Sequence, residues 1–270
     1  MPAELKICCV PINWKMKRVR ALILVVTMLL SGRYLLFSVK GLFDGVVVGN
    51  KPLTSDINHL RISINRDFNA NPGQAVAVVA PQNVKRVYSL SGLNPFLIEI
   101  CVKRVLGGVV SNFLCDSKIG DILNLEGPIG KDLILPEILP DRIILIGTGT
   151  GLAPFRALLT ELRERKYLGQ VILIGGAKNS ESLPYLDDFK KIGTDLWNFE
   201  MRLAFSKVEN KRYVQDAFSV DEAREWASGL IFICGGKSMG AEVVEKLKSA
   251  MGEEDFKEMK RSKRLRKEVY

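Results

Sequence analysis

The hydrophobic pattern changes near Asp141, and this change constrains the fold more than any other feature of the chain. Before Asp141, short segments alternate apolar and polar residues, which is typical of antiparallel strands with one buried face. The predicted strands are His59–Asn65, Ala75–Ala80, Phe96–Lys103 and Ile122–Leu125. Their spacing, with Gly and Pro turns between them, predicts a small antiparallel β-barrel or sandwich over residues 41–140. In the third strand, the residues expected on one face are Phe96, Ile98, Ile100 and Val102.

After Asp141, short continuous apolar runs alternate with segments of helical periodicity. The predicted strands are Ile143–Ile146, Val171–Ile174, Met201–Phe205 and Leu230–Cys234. The predicted helices are Pro154–Lys166, Leu183–Ile192, Asp221–Trp226 and Met239–Met251. This repetition predicts a doubly wound α/β domain with a parallel sheet over residues 141–270, and such sheets bind ligands at the carboxyl ends of their strands.

The formal net charge of +9 is carried by the two ends of the chain. Residues 1–43 hold seven Lys and Arg against one acid, and residues 257–270 hold seven against two, which leaves the segment between them slightly acidic. A protein whose body binds nucleic acid needs a basic surface, so the sequence predicts no nucleic-acid partner.

The N-terminal segment, residues 1–40, predicts a targeting signal or an extension. Its apolar run Ala21–Leu30 follows four basic residues and is shorter than the roughly 20 residues that a membrane-spanning helix needs. A transit peptide would send the protein to a plastid-like stroma, and otherwise a cytoplasmic location is expected. Membrane contact is expected only if this segment is an anchor.

Cysteine and histidine usage excludes several kinds of site. The five cysteines form no C-x-x-C pair, which favours a reducing compartment and argues against a zinc site, so no metal is predicted. His59 is the only histidine, so any catalytic triad that uses histidine would need it. Its place beside an alternating strand pattern predicts an ordinary surface or strand-edge residue.

The glycine-rich turn Gly147–Pro154 directly follows the first buried strand and opens a helix. Glycines allow a backbone to approach a pyrophosphate, and a helix N-terminus supplies amide donors and a positive dipole. The turn is not a Walker A loop because no Gly-Lys-Ser/Thr follows. Its position therefore predicts a nucleotide-binding turn.

Two further motifs are weak by themselves. Arg86–Ser89 combines an arginine that can bind a phosphate, an aromatic ring that can stack and a hydroxyl that can donate. Gly107–Leu114 places Ser and Asn at the start of a predicted helix, where a helix cap is the simpler interpretation and an anion cradle the alternative.

Taken in order, these motifs resemble the ferredoxin–NADP reductase family, plant-type members in particular. The resemblance runs from about Phe43 to Tyr270 and includes Cys234-Gly235-Gly236 and the final Glu268-Val269-Tyr270. It implies a flavoenzyme with an FAD-binding barrel over residues 41–140 and an NADP-binding α/β domain over residues 141–270.

The resemblance also implies roles for individual residues. Arg86 would pair with a flavin phosphate, Tyr88 would stack on the flavin ring, and Tyr270 would cover its other face. The residues implied to bind FAD are Arg86, Val87, Tyr88, Ser89, Cys101, Val102, Lys103, Val109, Val110 and Ser111. Those implied to act in hydride transfer are Ser89, Cys234, Glu268 and Tyr270. Those implied to bind the nicotinamide nucleotide are Thr148, Thr150, Gly176, Ala177, Gly235 and Gly236.

The segment after Met201–Phe205 favours NADP over NAD. It supplies cations, hydroxyl groups and an aromatic ring for a 2′-phosphate and adenine, and no acid stands directly after Phe205. The family carries a similar Ser-Arg…Lys-x-Tyr-x-Gln pattern, in which Lys207 here replaces the arginine. The predicted 2′-phosphate site is Ser206, Lys207, Lys211, Tyr213 and Gln215.

One departure concerns the flavin. The loop between Arg104 and Gly107 is short and lacks the tyrosine that stacks on the FAD adenine in plant-type members, so FMN stands as the alternative to FAD. The chain has no cysteine set for an iron–sulfur cluster, so the one-electron partner must be a separate acidic carrier, ferredoxin or flavodoxin in this family. The alternatives are a reductase component of an oxygenase or sulfite reductase system, and a flavin-binding protein without turnover.

Overall fold

A computed structural model describes residues 42–81 and 83–270. The predicted targeting or extension segment, residues 1–40, lies outside this range. In the part of the chain that the structure describes, no helix is long and apolar enough to span a bilayer.

The first half of the described chain forms a closed antiparallel barrel with the strand order β1-β2-β5-β4-β3-β6. Its strands are β1 (Leu42–Pro52), β2 (Ile57–Ile64), β3 (Ala75–Val79), β4 (Lys85–Asn94), β5 (Leu97–Lys103) and β6 (Ile122–Ile129), with α1 (Val109–Asp116) between β5 and β6. β6 pairs with both β1 and β3, and this pairing closes the barrel. The predicted barrel is confirmed.

The direction of side chains alternates along each strand, and this alternation determines which side chains fill the barrel core. Ile98, Ile100 and Val102 of β5 are fully buried in its core, as the sequence predicts. The expectation that Phe96 shares their face is wrong, because Phe96 lies in the turn before β5 and the residue is 59% exposed. There its backbone N–H donates to the side chain of Asn94.

The second half forms a parallel sheet with the strand order β11-β10-β7-β8-β9 and helices on both faces, as predicted. Its strands are β7 (Arg142–Thr148), β8 (Gln170–Ala177), β9 (Asn198–Phe205), β10 (Leu230–Gly235) and β11 (Leu265–Val269). Its helices are α2 (Ala153–Glu164), α3 (Leu186–Thr194), α4 (Val220–Glu225), α5 (Lys237–Met251) and α6 (Glu253–Arg261). Ile143 and Leu145 of β7 face one core, and Ile144 and Ile146 face the other. Such a continuous apolar run is the pattern of a strand buried on both faces.

The chain ends in an ordered edge strand. β11 pairs in parallel with β10, so that Glu268 lies opposite Cys234. The Tyr270 N–H donates to the Gly235 carbonyl (3.1 Å), and the Lys237 N–H donates to the Tyr270 carbonyl (3.2 Å). These bonds hold Tyr270 at the carboxyl end of the sheet.

The barrel packs against the parallel sheet through α2 and the outer faces of β2, β4 and β5. Ile57 and Cys101 belong to barrel strands, yet their side chains join the apolar core beneath α2 and α3. A strand that carries one face of the barrel core therefore also contributes to the core of the second domain.

Candidate functional site

A cavity of about 600 Å³ opens at the carboxyl ends of β7, β8, β9 and β10, where sequence reasoning expects a ligand. Lys103 and Ile57 of the barrel contribute to its wall. The predicted nucleotide-binding residues that line it are Thr148, Thr150, Gly176, Ala177, Ser206, Tyr213, Gln215 and Gly236, together with Tyr270. The structure thus gathers residues from four separate strand ends at one cavity.

Glycines shape the floor of this cavity. A Cβ atom at Gly151 would overlap the Cys234 carbonyl, and one at Gly176 would lie 2.6 Å from a methyl group of Val214. Gly149 has a φ of +55°, which favours glycine, and has open space around it. Backbone amides can therefore approach a ligand closely at the start of α2, and this cradle fits a dinucleotide pyrophosphate.

The predicted 2′-phosphate residues divide into two groups. Ser206, Tyr213 and Gln215 line the cavity, whereas Lys207 and Lys211 do not. The Lys211 ammonium lies 6.0 Å from the centre of the Tyr213 ring.

Two cations that sequence reasoning missed, Lys178 and Arg212, line the cavity instead. Arg212 donates from Nε and Nη2 to the Asp216 carbonyl (3.1 and 2.7 Å), and this contact orients its guanidinium. The sequence could have indicated Arg212, because this residue stands between Lys211 and Tyr213 in the segment predicted to bind the 2′-phosphate. Lys178 directly follows β8, at the same edge of the sheet.

On the barrel, the predicted flavin residues Arg86, Val87, Tyr88 and Ser89 form consecutive positions of β4. The Arg86 side chain is exposed, and Val87 exposes 48% of its surface although it is apolar. Tyr88 is half-buried, and burial raises the pKa of its hydroxyl to about 12. The phenol therefore stays neutral and offers its ring face together with a hydrogen-bond donor.

The remaining predicted flavin residues lie on β5 and at the start of α1. Val102 is buried in the barrel core, and burial raises the pKa of the Cys101 thiol to about 12. Lys103 is exposed and pairs with Asp56 (Nζ to Oδ2, 3.4 Å). These three side chains therefore have different surroundings, and Lys103 alone among them lines the cavity.

At the start of α1, Gly107 has a φ of +70° and turns the chain into the helix. The Ser111 hydroxyl accepts from the Val105 N–H (3.2 Å), and Val110 is buried. Leu106 and Val109 are exposed apolar side chains beside this turn. An exposed apolar surface beside free backbone amides fits a ligand that has both a flat apolar ring and a pyrophosphate, as FAD does.

The four predicted hydride-transfer residues meet where β4 approaches the end of β10. The Ser89 hydroxyl donates to Glu268 Oε1 (3.4 Å), and the Tyr270 hydroxyl lies 2.7 Å from Thr150 Oγ1. Burial raises the pKa of the Glu268 carboxyl above its usual range, and the Ser89 hydroxyl opposes this shift. Cys234 is fully buried, which raises the pKa of its thiol and keeps it from solvent.

The expectation that His59 is an ordinary surface or strand-edge residue is wrong. Its side chain is only 12% exposed, and Nδ1 lies 2.8 Å from the Tyr185 hydroxyl. Tyr185 belongs to the second domain, so His59 lies in the contact between the barrel and the sheet. The apolar and polar pattern of one strand cannot reveal this burial, because Tyr185, which covers His59, lies 126 positions later in the sequence.

Two family models match successive parts of the chain. Residues 44–132 match the oxidoreductase FAD-binding domain, and residues 145–245 match the oxidoreductase NAD-binding domain. The two matched regions contain the barrel and most of the parallel sheet.

Curated relatives and solved structures cover both regions together. The chain is 37% identical over 249 residues to the root-type chloroplastic ferredoxin–NADP reductase of Nicotiana tabacum, covering 73% of this chain and 66% of the relative. It is 28% identical to leaf isozyme 1 of Arabidopsis thaliana, covering 87% and 79%. A ferredoxin–NADP⁺ reductase of Plasmodium falciparum, solved with 2′P-AMP, superposes with a TM-score of 0.69 at 26% identity, covering 87% of this chain and 98% of that structure.

Proposed function

Because the chain belongs to the ferredoxin reductase-type family of FAD- and NAD(P)-binding oxidoreductases, we propose that it transfers electrons between NADP(H) and a one-electron protein carrier. The observation that carries this proposal is the junction at which Ser89 of the barrel donates to Glu268 of the sheet, beside Tyr270 and the nucleotide cavity. A hydride donor held in the cavity and an acceptor held on the barrel would meet there.

In this proposal, residues 41–140 bind FAD and residues 141–270 bind NADP(H). Arg86 and the turn before α1 would hold the phosphates of FAD, and Tyr88 would stack on its ring. The exposed surfaces of Val87 and Val109 support this assignment, because apolar side chains of a ligand-binding groove are covered when the ligand binds. Bound FAD supplies the chemistry of accepting a hydride and releasing its two electrons singly.

The protein's own residues would control access and protons at the junction. Tyr270 is held by its backbone and by one hydroxyl contact to Thr150, so its ring can rotate aside to admit nicotinamide while β11 stays paired. The Ser89 hydroxyl and the Glu268 carboxyl are hydrogen-bonded at this junction and would form a path for a proton there. A carboxyl whose pKa is raised keeps a proton to higher pH and can exchange it through that hydroxyl.

We assign the preference for the 2′-phosphate of NADP(H) to Ser206, Tyr213, Arg212 and Lys178. A cation that donates several hydrogen bonds binds a phosphate better than one that only adds charge. Arg212 and Lys178 line the cavity, whereas Lys207 and Lys211 add charge from outside it. The relative solved with 2′P-AMP supports a 2′-phosphate ligand in this fold.

The names of the relatives imply a ferredoxin-type carrier as the partner. We propose that the carrier is acidic, a ferredoxin or a flavodoxin, and that it docks beside the basic C-terminal segment. Within residues 257–267 the exposed cations are Lys257, Lys260, Arg261, Lys263 and Lys267. Such a surface attracts an acidic carrier and makes its association dependent on salt.

The experiment is an absorption spectrum of the purified protein before and after anaerobic addition of NADPH, followed by oxidised ferredoxin or flavodoxin. We expect flavin bands that NADPH bleaches within seconds and that either carrier restores. Bleaching without restoration by either carrier would favour the reductase component of an oxygenase or sulfite reductase system. Flavin bands that NADPH leaves unchanged would favour a flavin-binding protein without turnover.

A further inference from the structure

A cluster of charged and aromatic side chains joins the barrel to α2, and none of its members is assigned to a cofactor. At its centre, Arg156 Nη1 donates to Glu99 Oε2 (2.6 Å) and to the Ser91 carbonyl (2.9 Å), both on the barrel. Its Nε donates to Asp188 Oδ2 (2.5 Å) on α3. The Arg156 and Glu99 side chains are 22% and 15% exposed. One guanidinium therefore binds two groups on the barrel and one carboxylate within its own domain.

Tyr185 and His59 extend the cluster. The Arg156 guanidinium lies 5.2 Å from the centre of the Tyr185 ring, and the Tyr185 hydroxyl lies 2.8 Å from His59 Nδ1. Tyr185 has a φ of +64°, an unusual conformation for a side chain of its size, and it is buried. His59 Nε2 lies 3.8 Å from Glu99 Oε1. The contacts return to Glu99, so the cluster is a closed ring.

Space around the cluster is tightly limited. A Cβ atom at Gly92 would lie 2.8 Å from Arg156 Nη1 and would overlap Glu99 Oε2. At Gly92 the barrel therefore packs against the ion pair through its backbone, with no side chain between them. Any change in the angle between the two domains must stretch these short hydrogen bonds or close this gap.

The two sides of the cluster lead directly to the two proposed cofactor sites. Arg156 lies in the first turn of α2, which begins at the end of the glycine-rich turn. Glu99 lies two residues before Cys101 on β5, and Ser91 lies two residues after Ser89 on β4. Rigid elements thus connect the Arg156–Glu99 pair to the nucleotide cradle on one side and to the flavin strands on the other.

From this geometry we propose that Arg156, Glu99, Tyr185 and His59 form a positioning cluster, which fixes the hydride donor and acceptor sites at reacting distance. The proposal rests on the proposed function, and none of these four residues is among those predicted to act in hydride transfer. Hydride transfer depends steeply on alignment, and a displacement of about 1 Å can lower a rate about a hundredfold. A buried ion pair adds little net stability compared with apolar packing, whereas its directional bonds define one orientation.

The chain contains a matched control. Arg202 of β9 is 21% exposed and binds Glu200 Oε1 (2.6 Å), Glu222 Oε1 (2.6 Å) and the Ala217 carbonyl (2.9 Å). It therefore holds two carboxylates and one carbonyl, as Arg156 does, but all three lie within the second domain. Arg202→Lys therefore tests the loss of an equivalent set of hydrogen bonds, none of which crosses the domain boundary.

The test compares Arg156→Lys, Glu99→Gln and Arg202→Lys with the wild-type protein by stopped-flow flavin reduction in a single turnover. NADPH deuterated at the transferred position verifies that the observed step is hydride transfer. We expect the first two variants to be slowed about tenfold to a hundredfold, with unchanged flavin content and an NADP⁺ affinity within twofold. Arg202→Lys should react at the wild-type rate.

Hydrogen exchange of the purified proteins without added nucleotide supplies a second readout. Amides at the start of α2 and in β5 should exchange faster in Arg156→Lys and Glu99→Gln but not in Arg202→Lys. If Arg156→Lys does not fold, Tyr185→Phe, which keeps the ring and removes the hydroxyl contact to His59, replaces it.

The outcomes separate the two proposals. Wild-type protein that NADPH does not reduce would overturn the proposed function, and the positioning role with it. Wild-type reduction together with variants that react within twofold of its rate would overturn the positioning role alone. Equal slowing of Arg202→Lys would also overturn it, since the effect would then follow from lost stability.

Discussion

Glu268 and Glu99 are two carboxyl groups at the same domain boundary, and their surroundings shift their pKa values in opposite directions. Burial raises the pKa of Glu268, whose side-chain partner is the Ser89 hydroxyl. Burial would also raise the pKa of Glu99, but His59 and the Arg156 guanidinium lower it to about 2. The boundary therefore has an open region around Glu268, to which we assign chemistry, and a closed region around Glu99, to which we assign fixed geometry.

The largest expected effect concerns the closed region at acid pH. Because the folded-state pKa of Glu99 lies near 2 and its ordinary value is 4.5, its ionised form stabilises the folded protein above pH 4.5. This contribution, about 3 kcal/mol, is lost as the pH falls from 4.5 towards 2. Urea unfolding of Glu99→Gln should show a lower free energy of unfolding at pH 6 and a weaker dependence on pH below 4.5.

The Arg202–Glu222 ion pair provides a comparison for the pH dependence of the free energy of unfolding. Glu222 also has a lowered pKa, although burial opposes the shift. Glu222→Gln should therefore change acid stability in the same direction. A free energy of unfolding for Glu99→Gln that matches the wild-type value at every pH would contradict the closed-region interpretation.

The next effect concerns cations at the open cavity. Arg212→Gln removes a charge-assisted contact from the proposed 2′-phosphate site, and such contacts contribute about 1.5–3 kcal/mol. We expect kcat/KM for NADPH to fall about tenfold or more and kcat/KM for NADH to stay within twofold. Lys207→Ala and Lys211→Ala should have smaller effects, since neither residue lines the cavity. Equal losses for both nucleotides in Arg212→Gln would exclude a 2′-phosphate role.

Features that depend on local constraints can be predicted from the sequence, whereas features that depend on long-range contacts cannot. The glycine-rich turn could be predicted from the sequence because its constraint is local: Gly149 has a positive φ and Gly151 has no room for a Cβ. β11 could not be predicted, because its basic sequence has no strand alternation and the strand forms by pairing with β10. The Arg156 cluster was also beyond reach, since its members come from separate segments that meet only in the folded protein.

A smaller effect is expected at Tyr270, which lines the cavity beside the open region. Tyr270 as a whole residue is 59% exposed and its hydroxyl contacts Thr150, so we expect its displacement to cost little. Tyr270→Ser removes a stacking competitor, and aromatic pairs contribute about 0.5–1.5 kcal/mol beyond their buried area. NADP⁺ titration followed by difference spectroscopy should show up to about tenfold tighter binding and a reduced preference for NADPH over NADH. An unchanged preference would count against the stacking role.

The smallest effect distinguishes the two carboxyl groups by sign. Because burial raises the folded-state pKa of Glu268, its ionisation works against folding, and the folded protein gains stability as the pH falls through that raised pKa towards the ordinary value of 4.5. Glu268→Gln removes this penalty, so at pH 7 its free energy of unfolding should equal or slightly exceed that of the wild type. Glu99→Gln should lower the free energy of unfolding at the same pH. Urea unfolding of the two variants side by side checks this, and a shared sign would show that the open and closed regions impose the same electrostatics.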